Sequence, residues 1–113
     1  MLEERCVFCR IIKGEIPSAK VYEDDKMYVF KDIEPKAKVH LLAVPKTHFK
    51  LLEEAGSEEL ELLSHMLSKI PQIAKENGCD GGYRLIINQG DDAGQTVFHL
   101  HIHILGGEKL NEF

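Results

Sequence analysis

The sequence predicts an α+β fold: a mostly antiparallel sheet of about five strands, with one long and one short helix. Leu60, Leu63 and Leu67 recur at helical spacing, which predicts the long helix. Several shorter apolar segments are bounded by turn residues, which predicts the strands. The chain has 113 residues, so we expect one domain spanning residues 1–113.

The first half of the chain holds the short helix and three strands. Gly14 lies just past the helix, and Asp24-Asp25 forms a turn between two strands. Pro45 ends a continuous apolar strand that contains one histidine, His40. The predicted ranges are a helix over 7–13 and strands over 19–23, 27–31 and 39–44.

The second half holds the long helix and two more strands. Ser57 is a good N-cap, and Asn77-Gly78 stops the helix, which we place over 57–76. Pro71 should kink or break its last turns. Strands are predicted over 83–88 and 99–105, with a glycine-rich loop over 89–94 between them.

Composition excludes several functional classes. Hydrophobic residues make up 43% and charged residues 29%, which are globular proportions rather than those of disordered or fibrous chains. The net charge of −5 argues against a nucleic-acid or membrane-surface binder, which needs a cationic surface. We expect no membrane partner, because no apolar run reaches the length of a membrane span and the N-terminal segment does not resemble a signal peptide. We therefore expect a cytoplasmic protein, in which the three cysteines are reduced.

Three histidines alternate with apolar residues in the last predicted strand. Side chains alternate faces along a strand, so His99, His101 and His103 would share one face, and Leu100 and Ile102 would face the core. Three interpretations are open at this point. The face is an exposed polar surface, a metal site, or a nucleophilic histidine supported by its neighbours.

This pattern resembles the signature of the histidine triad superfamily. Gly94-Gln95-Thr96-Val97 before it and Gly106-Gly107 after it are similar to the Hint branch of purine nucleoside phosphoramidases. The resemblance covers nearly the whole chain and implies a homodimer in which two protomers share a sheet. Further matching segments are Phe8-x-x-Ile11-Ile12, Gly14-Glu15-Ile16-Pro17, Phe30-x-Asp32-Ile33-x-Pro35, His40-x-Leu42-x-Val44-Pro45-Lys46-x-His48 and Asn88-x-Gly90.

The resemblance implies a mechanism through a covalent nucleotidyl-histidine. His101 would attack the α-phosphorus of a nucleoside 5′-phosphoramidate, and water would then release the nucleotide. His103 would hydrogen-bond a phosphate oxygen, while the backbone carbonyl of His99 would fix the tautomer of His101. His40 would be a fourth histidine that tunes the triad. Thr96 stands where the family often has Ser and would donate toward the phosphate or the leaving amine.

The resemblance also implies how a purine nucleotide would bind. Asp32 would accept from the ribose hydroxyls, and Asn88 and Gln95 would lie near phosphate and ribose. The backbone N–H of Val97 would donate to the phosphate. The base pocket would be lined by Ile33, Phe8 and Ile11, although Phe8 and Ile11 suit plain core packing equally well.

Cys6-x-x-Cys9 is a half-site for a tetrahedral metal. The resemblance suggests that His48 and His99 complete a closed Cys₂His₂ site, which would hold a structural Zn²⁺. The alternative is two small buried thiols. We expect Cys79 to be an ordinary thiol and His65 to lie on a solvated helix face.

Other functions stay open. The chain could hydrolyse dinucleoside polyphosphates, as the fragile-histidine-triad branch does, or it could be a nucleotide-binding regulatory module. In a fourth alternative, all the histidines serve zinc in a structural protein. Segment 109–113 lacks the Trp-Pro-Pro-type tail of animal members, so the leaving group is not predicted. The purine preference also stays open, because an apolar pocket alone does not read the edge of a base.

Overall fold

The structure, a computed structural model, describes residues 3–113 and has the predicted α+β class. Both predicted helices and all five predicted strands are present. None of the helices in this range is long and apolar enough to cross a membrane. The elements are α1 (Val7–Ile12), β1 (Lys20–Glu23), β2 (Met27–Lys31), β3 (Val39–Pro45), a 3₁₀ turn (Leu52–Glu54), α2 (Ser57–Glu76), β4 (Tyr83–Ile86), a second 3₁₀ turn (Asp91–Ala93) and β5 (Ile102–Gly106).

The five strands form one antiparallel sheet in the order β1-β2-β3-β5-β4. In the β3–β5 pairing, Leu42 lies opposite His103 and His40 lies opposite Leu105. Residues two apart on a strand share a face, so His40 and His103 are diagonal neighbours on the same face. The sheet register therefore brings together two histidines that are 63 positions apart.

The central strands are apolar on both faces because each face is covered. Met27 and Val29 of β2 face α2, whereas Tyr28 and Phe30 face α1. α2 contributes a buried stripe of Leu63, Met66, Ile70, Ile73 and Ala74. The α1 side is smaller, which leaves part of that sheet face open for a cleft.

The last strand is shorter than predicted. The β5 ladder begins at Ile102 rather than at residue 99, because Leu100 donates its N–H to the Phe49 carbonyl at 2.7 Å instead of to a sheet neighbour. β4 ends at Ile86 rather than at residue 88, since Ile86 pairs with His103 near the start of β5. The other predicted boundaries of the helices and strands agree within one residue.

One prediction about α2 is wrong, and of the two effects expected at Pro71 the break does not occur. The N-cap is Gly56 rather than Ser57, and the Glu59 carboxylate accepts from the Gly56 N–H at 2.8 Å. Pro71 does not break the helix, which continues to Glu76. The Glu59 carboxylate, in the first turn of α2, satisfies a backbone N–H that has no partner within the helix, which is the purpose that a capping hydroxyl also serves.

The prediction that His65 lies on a solvated helix face is wrong, because its side chain is half-buried against Asp24. Its Nε2 donates to Asp24 Oδ2 at 2.7 Å, which ties α2 to the β1–β2 turn. Asp24 also accepts from the Tyr22 hydroxyl and from the backbone N–H groups of Lys26 and Met27. Partial burial by itself would raise the pKa of Asp24, but these hydrogen bonds together hold it well below its usual range.

We expect Asp24→Ala to lower the free energy of unfolding by about 2–3 kcal/mol at pH 7, because several donors lose a charged acceptor. The contribution of this carboxylate is present above its unfolded pKa and is lost as the pH falls. The difference between wild type and variant should therefore narrow below about pH 4. Urea denaturation at pH 7 and pH 3 measures both effects. The exposed neighbour Asp25→Ala is the control; equal stability of the two variants would contradict the prediction.

Candidate active site and metal centre

His99 is fully buried and is held through both ring nitrogens. Its Nε2 lies 2.8 Å from the Pro45 carbonyl oxygen. A carbonyl only accepts, so Nε2 carries the proton and Nδ1 presents a lone pair. Burial lowers the pKa of His99 to about 4, so the ring is neutral at pH 7.

Three further metal-binding atoms lie around that lone pair. His99 Nδ1 lies 3.3 Å from Cys6 Sγ, 3.5 Å from Cys9 Sγ and 3.2 Å from His48 Nδ1. Cys9 Sγ and His48 Nδ1 are 3.4 Å apart. A tetrahedron with metal–ligand bonds of about 2.0–2.3 Å has edges of roughly 3.3–3.8 Å. The spacing therefore fits one tetrahedral ion, and the predicted set of four residues is brought together.

The chemistry of these four residues also fits a metal. His99 Nδ1 has one lone pair but three neighbouring donor atoms within 3.5 Å. A single lone pair cannot accept three hydrogen bonds at once. Burial raises the pKa of the Cys9 thiol to about 11, so the thiolate needs a nearby cation. The Nε2–H of His99 is donated to a backbone carbonyl, which is the usual orientation of a histidine ligand.

Local structure positions the other three ligands. Cys6 is the N-cap of α1 and Cys9 lies in its first turn, with the Cys9 N–H donating to Cys6 Sγ at 3.4 Å. His48 follows the end of β3. Its buried Nε2 makes no hydrogen bond within residues 3–113, although Glu3 Oε2 lies 3.3 Å away.

His101 presents a free ring nitrogen. Its Nδ1 donates to the backbone carbonyl of His99 at 2.7 Å, which leaves the Nε2 lone pair available. The Phe8 ring meets it edge-on, with ring centroids 5.0 Å apart. Burial lowers the pKa of His101, so the neutral form is favoured. This geometry is what a nitrogen nucleophile requires.

His103 has the opposite tautomer because of a relay that begins in the backbone. The Lys36 N–H donates to His40 Nδ1 at 3.0 Å, so His40 Nε2 carries the proton. That N–H donates to His103 Nδ1 at 2.9 Å, which leaves the proton of His103 on Nε2. Burial lowers the pKa of His40, and burial together with the neighbouring histidines lowers that of His103 to about 4.

Asp32 lies beside this relay. Its Oδ2 is 3.3 Å from His40 Nε2, and its Oδ1 accepts from the Glu34 N–H at 2.8 Å. Asp32, His40 and His103 are close enough to hold a second metal ion. However, the Lys36 N–H occupies the Nδ1 lone pair of His40, so Nε2 must keep its proton. The three residues are better suited to hydrogen bonding than to metal binding.

A cleft of about 630 Å³ opens in front of His101 and His103. This volume suits a small-molecule ligand. Ile33 lies at its rim and is 93% exposed, whereas Phe8 and Ile11 are buried and serve both the cleft and the core. The predicted site residues on its wall are Phe8, Ile11, Asp32, Ile33, Asn88, Thr96, Val97, His101 and His103.

Gln95 is not on the wall of the cleft. Its side chain is buried: the amide oxygen accepts from the Gly90 N–H at 2.7 Å, and the amide nitrogen donates to the carbonyls of Lys50 and Val97. It therefore braces the glycine-rich loop from inside. Sequence reasoning also missed the Pro45 carbonyl and the Lys36 N–H, which are backbone groups with no sequence signal.

Comparison with known proteins agrees with this geometry. Residues 5–112 match the family described as "Scavenger mRNA decapping enzyme C-term binding". Protein HitA of Neisseria gonorrhoeae is 50% identical over 103 residues, which are 91% of this chain and 96% of that protein. The 14 kDa zinc-binding protein of Zea mays is 44% identical over 107 residues, which are 93% of this chain and 84% of that protein.

Solved structures give the same result. A histidine triad protein from Clostridium difficile superposes with a TM-score of 0.94 at 48% identity, covering 100% of this chain and 99% of that one. A HIT family hydrolase from Legionella pneumophila Philadelphia 1 superposes with a TM-score of 0.89 at 39% sequence identity, covering 95% of this chain and 96% of that one. A Zn-bound histidine triad family protein from Mycobacterium smegmatis superposes with a TM-score of 0.80 at 35% sequence identity, covering 92% of this chain and 76% of that one. The chain is a member of the histidine triad (HIT) family.

Proposed function

We propose that this HIT protein is a hydrolase that cleaves the P–N bond of purine nucleoside 5′-phosphoramidates. The observation that carries the proposal is the pair of opposite tautomers at one wall of the cleft. His101 offers a lone pair, while His103 offers an N–H. A phosphorus centre needs a nucleophile and, beside it, a donor for its oxygen atoms.

The reaction takes place in two displacements. His101 Nε2 attacks the α-phosphorus, the P–N bond breaks, and the amine departs after taking up a proton. The nucleotidyl-histidine then carries positive charge on its ring, which the His99 carbonyl stabilises through Nδ1–H. His103 Nε2–H donates to a phosphate oxygen, and the exposed Thr96 hydroxyl lies on the same wall to serve the amine. Water then hydrolyses the Nε2–P bond.

The rest of the cleft suits a nucleoside. The Asp32 carboxylate can accept from two vicinal ribose hydroxyls. Phe8 and Ile11 give an apolar wall for a flat base, and Ile33 covers it at the rim. Asn88 and the Val97 N–H complete the polar end, near the phosphate.

We expect His101→Ala to reduce kcat for adenosine 5′-phosphoramidate by at least about 10³-fold, because no other group on the wall presents a free ring lone pair. The measurement is release of AMP, with mass spectrometry of the trapped nucleotidyl-enzyme of the wild type at alkaline pH, where an Nε2–P bond persists. His65→Ala, which removes a histidine of α2 outside the cleft, is the control and should keep its activity at 20 °C. Unchanged turnover by His101→Ala would exclude the nucleophile assignment, and faster cleavage of diadenosine polyphosphates would favour the rival branch.

We propose that Cys6, Cys9, His48 and His99 hold one structural Zn²⁺. The zinc-binding relative from maize and the Zn-bound mycobacterial structure support this proposal, together with the tetrahedral spacing described above. Zinc would supply the charge that keeps two buried thiolates ionised. Four protein ligands leave no open position, so the ion would not contact substrate.

We expect purified protein to contain about one zinc per chain and Cys9→Ser to lose it, because a hydroxyl is a poor zinc ligand. Loss of the ion should also lower the thermal midpoint, since metal binding contributes to folding. Atomic emission and differential scanning calorimetry measure the two effects. Cys79→Ser removes the thiol that is not in the cluster and should keep full zinc content. Full zinc in Cys9→Ser would exclude this residue as a ligand.

We also propose that the protein forms a homodimer in the cytoplasm, where the thiols stay reduced. β4 is an edge strand with Tyr83, Leu85 and Ile86 each more than a third exposed. On α2, Leu60 and Leu67 are 55% and 48% exposed and lie two turns apart on one face. An unpaired sheet edge and exposed leucines on α2 each favour a partner of the same kind.

We expect Leu67→Lys to shift the protein from dimer to monomer, because a charge would be placed in an apolar contact. Sedimentation equilibrium measures the mass. Gln72→Lys adds the same charge on another face of α2 and should leave the dimer intact. Identical masses for Leu67→Lys and wild type would contradict an interface on this face.

A further inference from the structure

Cys6 and Cys9 differ in how far solvent reaches them. The Cys9 side chain is fully buried, whereas Cys6 is half-buried. Cys6 also lies on the wall of a hollow of about 320 Å³ that His48 lines from the other side of the metal cluster. A small solute in this hollow can therefore reach Cys6 but not Cys9.

The sulfur atoms of Cys6 and Cys9 are placed to bond with each other. Both belong to the four-residue cluster, whose ligand atoms all lie within 4.8 Å of one another. The Cys9 N–H donates to Cys6 Sγ at 3.4 Å across the first turn of α1. A disulfide has an S–S length of about 2.05 Å, so the two sulfurs need to approach by less than about 3 Å, which rotation of the side chains can cover. C-x-x-C pairs form such disulfides in oxidoreductases.

The third cysteine is kept away from this pair by the sheet. Cys79 is 4% exposed and packs in the core beneath α2. Cys6 packs against the cluster on the α1 face. Oxidation of the folded chain therefore has one intramolecular disulfide available to it, that between Cys6 and Cys9.

His99 connects the two cysteines to the reaction centre. Its Nδ1 lies 3.3 Å from Cys6 Sγ and 3.5 Å from Cys9 Sγ, and its carbonyl accepts from His101 Nδ1 at 2.7 Å. The thiolate is the form of cysteine that binds metals, so a disulfide would leave only His48 and His99 as ligands. Two ligands are too few to retain zinc, and the His99 ring would then be held at its Nε2 alone.

We propose that Cys6 is a site of reversible oxidation by hydroperoxides, and that the resulting Cys6–Cys9 disulfide releases the zinc and slows the reaction at His101. The Cys6 thiolate attacks a peroxide oxygen, so an S–O bond forms, the O–O bond breaks, and water or an alcohol leaves after taking up a proton. The Cys9 thiolate then attacks Cys6 Sγ, which forms the S–S bond and expels hydroxide. The two sulfurs lose two electrons in total, the hydroperoxide gains them, and a thiol reductant reverses the change.

The modification rests on the proposed zinc site, and its effect on turnover rests on the proposed function. The test adds hydrogen peroxide to zinc-loaded wild type and follows zinc with a colorimetric chelator and the mass of the denatured protein by mass spectrometry. We expect release of about one zinc per chain and a parallel loss of about 2 Da, for the two thiol hydrogens. Trypsin cuts after Arg5 and Arg10, so the disulfide should lie within peptide 6–10.

Turnover of adenosine 5′-phosphoramidate should fall about tenfold as zinc leaves, and dithiothreitol with added zinc should restore it. Cys79→Ser keeps both cysteines of the cluster and is the matched control, which should release zinc at the wild-type rate. Cys9→Ser has no second thiol for the bond, so dimedone should trap a sulfenic acid on Cys6. Absence of that adduct would overturn Cys6 as the attacking residue.

A disulfide that includes Cys79, zinc release without a disulfide, or folded protein that keeps both its zinc and its thiols would each overturn the proposal. Oxidation and zinc loss with unchanged turnover would overturn the link to His101. Protein that binds no zinc would overturn the zinc site and this proposal together. The expected zinc release from a protein without phosphoramidase activity would count against the proposed function alone, because mass and zinc are measured without substrate.

Discussion

The clamp on His99 is the interaction on which the site depends. One ring nitrogen donates to the Pro45 carbonyl, and the other faces the two cysteines and His48. Its own carbonyl accepts from His101. Any ion held by the cluster therefore fixes a residue whose backbone sets the tautomer of His101. The four-residue cluster and the wall of the cleft are thus joined through His99, which lies just outside the β5 ladder.

Burial and backbone groups, rather than charged side chains, prepare the four histidines. Desolvation keeps the rings neutral, and backbone groups place the protons of His99, His101 and His40. The ring N–H of His40 then places the proton of His103. His101 and His103 consequently have opposite tautomers, although they have the same side chain and lie two positions apart. An acidic protein can bind a phosphate in this way, because the donors are ring and backbone N–H groups.

The sequence predicts the parts of this site that depend on spacing. Alternation places His101 and His103 on one face, and Cys6-x-x-Cys9 marks half of a metal site. The sequence does not predict that His99 lies outside the β5 ladder, since the cause is a contact between Leu100 and Phe49, 51 positions apart. The bond from His65 to Asp24 was missed for the same reason. Such contacts are tertiary and leave no periodic pattern.

The glycine-rich loop shows how a residue can matter to the site without touching a ligand. Gly90 and Gly94 have φ of +87° and +82°, a backbone region that side chains rarely adopt, and these turns allow the loop to wrap around Gln95. Both ends of the Gln95 amide are then used internally. Gln95 thereby links the Gly90 N–H to the carbonyls of Lys50 and Val97. One buried amide therefore braces the loop that carries the cleft residues Thr96 and Val97.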